Sequence, residues 1–180
     1  MSEAILPEKI VFNQNGFFYD MVSSFMIAIA GLEAIFNKTN PMKYTEKNVY
    51  TLEGKIHKEL RIEPFTLHKL AVQEKISTPL VINNLCSMLI NTAYESVKEK
   101  NDKSEIFDFF RHIRNASSHN NKFFFKNWEP IRPAKWRKQE INIALKGEKN
   151  PLFDKNCFGN FIAIADAILL LWDIEQRITE

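Results

Sequence analysis

The sequence predicts an all-α protein, a bundle of about five helices. One small extended or β-hairpin excursion interrupts it, between the helix carrying the polar motif described below and the last helix. Three observations carry this. Apolar residues recur at spacings of three and four along several long stretches. Only 5 Gly and 7 Pro occur in 180 residues, few for the many turns of a sheet protein. Hydrophobic residues make up 45% of the chain, with 15 Phe, enough for a substantial core and unlike the composition of a disordered chain. The length fits a single domain, read as spanning residues 1–180.

The first helix is expected over residues 16–37, where Phe18, Val22, Phe25, Ile29, Leu32 and Phe36 form one stripe. Asn40-Pro41 closes it, because the residue before a proline disfavours helix. Residues 43–75 predict one or two short helices, broken at Gly54 and Pro64. The next helix starts near Ser77 or Thr78, either able to cap, with Pro79 in the first turn. Its apolar side is Val81, Leu85, Leu89 and Tyr94, and the charges of ESVKEKND mark its frayed end. Asp102 or Ser104 can cap the following helix, whose stripe is Ile106, Phe109, Phe110 and Ile113 and whose stop is Asn120-Asn121. Pro130 and Pro133 then exclude helix. Ile141 and Ile143 alternating with Asn142 fit a short strand, and KGEKN is a turn. The last helix is expected over residues 158–178, apolar nearly all round and hence central.

Two cysteines, Cys86 and Cys157, are no disulfide framework and suit a reducing, cytoplasmic setting. The acidic start MSEAILPEKI lacks the long apolar run of a signal peptide. Residues 17–36 and 158–174 are apolar but interrupted by Asp20, Glu33, Asp166 and Asp173, so both read as buried core helices and no membrane contact is expected.

The polar stretch RHIRNASSHNN, residues 111–121, stands at the end of the fourth expected helix. Arg114 is a permanent cation that can grip a phosphate with two nitrogens. His119 supplies an imidazole, which takes or gives a proton near neutrality. Five residues turn an α-helix through about 140°, so the two diverge unless the helix loosens before His119 or two copies of the motif face each other. Asn115 and His119, four apart, share a face, so Asn115 can orient the imidazole or a phosphate oxygen. Arginine and histidine without a carboxylate cluster suit metal-free cleavage of RNA, in which the ribose 2′-OH attacks phosphorus. DNA lacks that hydroxyl. Spacing alone favours a plainer reading, a solvated basic helix end with a histidine well placed against the dipole.

Arg114-Asn115-x-x-x-His119, late in a long helix and followed by an extended stretch and a final apolar helix, resembles the R-x(4–6)-H motif of the HEPN superfamily. The motif covers six residues and the helical layout extends the likeness loosely over the chain. RNASSHNNKFFF…PAKWRKQEI looks most like stand-alone bacterial, plasmid and phage members. The resemblance implies a small helical protein that forms a homodimer. Two motifs meet at its interface in a metal-independent endoribonuclease site, and no cofactor is needed. It implies a toxin–antitoxin, abortive-infection or other defence role, with an antitoxin or other defence partner. Arg114, Asn115 and His119 become the catalytic candidates, with Arg111, Ser118, Lys122 and Lys126 as further RNA-binding candidates. In members paired with a nucleotidyltransferase antitoxin a tyrosine lies two residues after the histidine. Asn121 stands there, which argues against control by AMPylation.

Charge supports the placement. Residues 122–149 hold eight Lys/Arg against three acids, net +5, in a chain whose formal charge is +2. A basic flap beside the motif suits RNA, and Trp128, Trp136 and Phe123 to Phe125 are interleaved with it for stacking or for core packing. Asp20, Glu33 and Asp166 are either partners for Arg111 or Arg114 or acids that face solvent. His57 and His68 have no ligand spacing, His112 reads as a surface histidine with a secondary place in the site as its alternative, and no metal cluster or glycine-rich phosphate loop is present. Two other readings stand beside the ribonuclease: a catalytically silent HEPN-like module that binds RNA or protein, and an unrelated bundle, which would show as His119 facing solvent with no cleft nearby.

Overall fold

A computed structural model describes residues 9–37, 45–56 and 59–179. The order is α1 (Tyr19–Phe36), β1 (Tyr50–Glu53), β2 (Glu59–Ile62), α2 (Pro64–Val72), α3 (Thr78–Val97), α4 (Glu105–Ser118), β3 (Ala134–Trp136), β4 (Gln139–Ile141) and α5 (Ile164–Thr179). The protein is mostly helical, with two antiparallel two-stranded sheets, β1–β2 and β3–β4. It divides into two compact units, one formed by described residues up to 25 and from 83 onward, the other by residues 26–82.

The larger unit contains the sequence-predicted core. α4 is driven inward by Phe107, Phe109, Phe110, Ile113 and Ala116, all fully buried, and packs on β3 and α5. Phe107, not Ile106, completes its stripe. On α3 the buried line is Cys86, Leu89, Ile90, Ala93 and Val97, one step round from the expected Val81, Leu85 and Tyr94, which are half-buried. Burial pushes the Cys86 thiol up to about 12 and raises that of Cys157 as well, so both behave as small apolar groups.

Two helix starts differ from expectation. α5 begins at Ile164, six residues later than expected, because Gly159 turns the chain at φ +94 and the Asp166 carboxylate accepts the Ala163 N–H at 2.8 Å. Ser104 stands at the N-cap of α4, but its hydroxyl makes no cap bond. Asp102 instead accepts the Ser104 N–H at 2.9 Å and pairs with Arg177 of α5. Leu170, Leu171 and Ile174 are fully buried, so α5 is central as expected.

α1 enters this unit through Phe18, Val22 and Phe25. The buried carboxylate of Glu175, on α5, accepts the Phe18 N–H at 3.2 Å and so caps the start of α1. Gly16 leaves room for it: a Cβ there would lie 2.4 Å from Glu175 Oε1 and 2.9 Å from the Asn13 carbonyl. Gly16→Ala is therefore expected to cost about 1–3 kcal/mol in a urea titration, the usual penalty of overpacking.

The smaller unit holds the correction to residues 43–75. Part of that stretch is not helix but the hairpin β1–β2, with Tyr50 opposite Ile62 and Leu52 opposite Leu60. Pro64 starts α2, where its missing N–H costs nothing. Beyond Phe25, α1 is not the buried core helix expected: Met26 and Ile27 are 55% and 74% exposed. By length and composition α1 also qualifies as long enough to cross a membrane, with mean hydropathy 1.4 over 18 residues. Asp20 and Glu33 interrupt that apolar run.

Candidate functional site

The same residues that bury α4 leave its C-terminal end open. After Ser118 the helix stops. His119 is its C-cap at φ −103 and ψ 44, with its N–H shared between the Asn115 and Ala116 carbonyls at 3.1 Å each. α4 stays helical through Ser118 and loosens at His119 rather than before it, so the two side chains part: Arg114 goes to α3 and His119 to Phe124. Asn120 and Asn121 follow at φ 57 and 64, a left-handed pair that asparagine tolerates, and reverse the chain.

The His119 side chain is exposed and lies on the Phe124 ring, centroids 5.0 Å apart and planes inclined by 32°. Among the described residues neither of its ring nitrogens is hydrogen-bonded. Arg114 points toward α3. Its Nη2 donates to Glu95 Oε1 at 2.6 Å, its Nη1 to Asn115 Oδ1 at 3.4 Å, and its guanidinium stands 5.6 Å from the Tyr94 ring centre. Nε is buried without a partner, yet 33% of the side chain is open to solvent. Hydrogen bonds from Lys98 and Arg114 hold the Glu95 carboxyl below its ordinary range. A surface pair of this kind contributes little to stability and yields readily to a competing anion. Asn115 thus serves the arginine rather than the imidazole. Ser118 Oγ donates to Asn91 Oδ1 at 2.9 Å, and Lys122 pairs with Asp154 at 2.8 Å.

Arg111 belongs to a different, closed group. The Asp108 carboxylate is fully buried and receives Arg111 Nε at 3.2 Å and Arg132 Nη2 at 2.9 Å. Arg111 also donates to Glu129 Oε1 at 2.9 Å and contacts His112 Nε2 at 3.0 Å. The arginines pair with Asp108, Glu129 and Glu95, so of the two roles open to the other acids Asp20 and Glu33 take the solvent-facing one, and Asp166 bonds the Ala163 N–H. Burial alone would raise the Asp108 carboxyl, but hydrogen bonds from Arg132 and Arg111 bring it below its ordinary value; Glu129 is lowered by Arg111 in the same way.

His112 is not the surface histidine expected: it is buried against Phe125, with Nδ1 unpartnered. Burial, helped by the Arg111 charge, pushes its pKa from 6.5 down to about 4. Between those values the unfolded chain binds a proton that the folded chain does not, so stability falls as pH falls. The expected loss is about 2 kcal/mol on going from pH 6.5 to pH 5. A urea series at the two pH values checks it against His112→Gln, which keeps an acceptor for Arg111 and should lose that much less.

The flap is less free than its charge suggests. Arg137 is spent on Asp173 at 2.8 Å, Arg132 on Asp108, and Lys146 on the Pro130 carbonyl. Its aromatics divide. Phe123, Phe125 and Trp136 are core, whereas Phe124 and Trp128 are 45% and 60% exposed. Lys126 stands 5.4 Å from the Trp128 ring centre. Of the other histidines, His68 bonds the Ile35 carbonyl at 2.7 Å within the smaller unit, and His57 lies outside the described residues. Glu95 and Asn91 adjoin the motif without any signal in the sequence, whereas Tyr94 stands out there as an apolar residue of α3 and Phe124 as one of the Phe run.

Comparison of the chain with models of known protein families, with curated proteins and with solved structures found no match.

Proposed function

We propose that this protein is a metal-independent endoribonuclease of the HEPN kind, an all-α-type helical domain acting on RNA in the cytoplasm as a homodimer, in a toxin or anti-phage defence system. The observation that carries the reading is His119: an exposed imidazole at the C-cap of α4, with both nitrogens unengaged among the described residues, five residues after an arginine whose ion pair is with the exposed Glu95 and whose fork also reaches Asn115. In the reaction the ribose 2′-OH attacks the adjacent phosphorus and the bond to the 5′ oxygen breaks. His119 takes the hydroxyl proton or returns one to the leaving oxygen, and Arg114 stabilises the charge on the phosphoryl oxygens. The products are a 2′,3′-cyclic phosphate and a 5′-hydroxyl. Asn115 holds the Arg114 fork, and a second copy of the motif across the dimer supplies the groups that one α4 points away.

A second reading, a silent module that binds RNA or protein, is favoured by the Arg114–Glu95 pair, which already occupies the guanidinium. Incubation of the purified protein with single-stranded RNA in EDTA separates the two. Cyclic-phosphate ends support the nuclease, and bound but intact RNA supports the module.

A further inference from the structure

Residues 122–126 run extended out of the motif, tied by the Phe123 N–H to the Lys155 carbonyl at 2.9 Å and by a bridge between Lys122 and Asn156. Side chains of an extended segment alternate between faces. Here the inward set is Phe123 and Phe125, each 2% exposed, and the outward set is Lys122, Phe124 and Lys126, with Trp128 following in the next turn. The result is a solvent-facing row of cation, aromatic, cation, aromatic, beginning on the ring of His119. Two acids touch the row: Asp154, paired with Lys122 and itself 67% exposed, and Glu129, whose carboxylate accepts the Lys126 N–H at 3.2 Å. Large exposed rings interleaved with lysines match a strand whose bases are unpaired and whose phosphates run alongside. A duplex buries its base faces and offers these rings nothing.

We infer that Lys122, Phe124, Lys126 and Trp128 form a track that holds single-stranded RNA, its bases stacked on Phe124 and Trp128, and delivers it to His119. The inference rests on the ribonuclease reading for its direction but not for its binding chemistry.

The test is fluorescence anisotropy with a labelled single-stranded 12-nucleotide RNA and with the same sequence as a duplex, in EDTA. Trp128→Ala and Phe124→Ala are each expected to raise Kd for the single strand about tenfold, while Trp128→Phe stays within about threefold of wild type. Duplex affinity should not respond to either alanine. Unchanged single-strand affinity in both alanine variants overturns the track and leaves the row to a protein partner. Equal losses for single strand and duplex overturn it as well, since stacking would not be the cause. Cleavage is scored separately on the same samples. Ring-dependent binding without cleavage sinks the nuclease and keeps the track. Cleavage with an unaltered KM in both alanine variants does the reverse.

Discussion

His119→Ala is expected to lower cleavage of single-stranded RNA in EDTA by about 10²–10⁴-fold, the usual contribution of a general acid–base. The thermal midpoint should scarcely move, because the imidazole is exposed and its ring contact among the described residues is with the half-exposed Phe124. Arg114→Ala should fall by a similar factor, about 10²–10³, as when one donor to a developing oxyanion is removed. Arg114→Lys should recover little, since an ammonium cannot present two parallel donors to one phosphate. The comparison that decides is with Arg111→Ala. Arg111 lies in the same motif but is bound to Asp108 and Glu129, so its loss should act on stability before it acts on rate. If Arg114→Ala and His119→Ala both cleave like wild type, the proposed chemistry is wrong.

Asp108→Ala is expected to destabilise the protein strongly, by about 3 kcal/mol. The carboxylate is fully buried and collects two guanidinium groups, so its removal leaves two positive charges facing each other across a cavity. The low end of the range for a broken buried pair applies, because Arg111 and Arg132 keep 21% and 41% of their side chains in contact with water. In a chain of this size the midpoint should drop by about 6–12 °C. Calorimetry checks it, and an unchanged midpoint would mean that the network is replaceable by solvent.

The helices were legible where a strong apolar period meets a capping residue or a stop. α3, α4 and their ends at Pro79 and Asn120 follow from local chemistry. The hairpin β1–β2 was not, because its pairings, Tyr50 with Ile62 and Leu52 with Leu60, join residues that no short window brings together, and both strands are largely exposed. α1 misled in another way: its stripe is real, but only its first turns have a core to meet. The position of Arg114 and His119 at an opening helix end could be read from RNASSHNN. Their neighbours could not. Glu95 reaches Arg114 only because α3 and α4 lie side by side, and the fate of Arg111 depends on Asp108 being buried, against the habit of its residue type.

Asn121 stands where the proposed HEPN likeness would place a nucleotide-accepting tyrosine. Its amide closes a two-way latch on Phe158, accepting that residue's N–H at 2.7 Å and donating to its carbonyl at 3.1 Å, from a backbone at φ 64. A tyrosine there would have neither the amide nor the tolerance for that backbone. If the proposed function holds, a handle for nucleotide transfer and a fastener for the following loop would compete for this one position, and Asn121 serves as the fastener. Control of the proposed activity would then act by binding over the site. Grafting the tyrosine in would first require a new way of pinning Phe158.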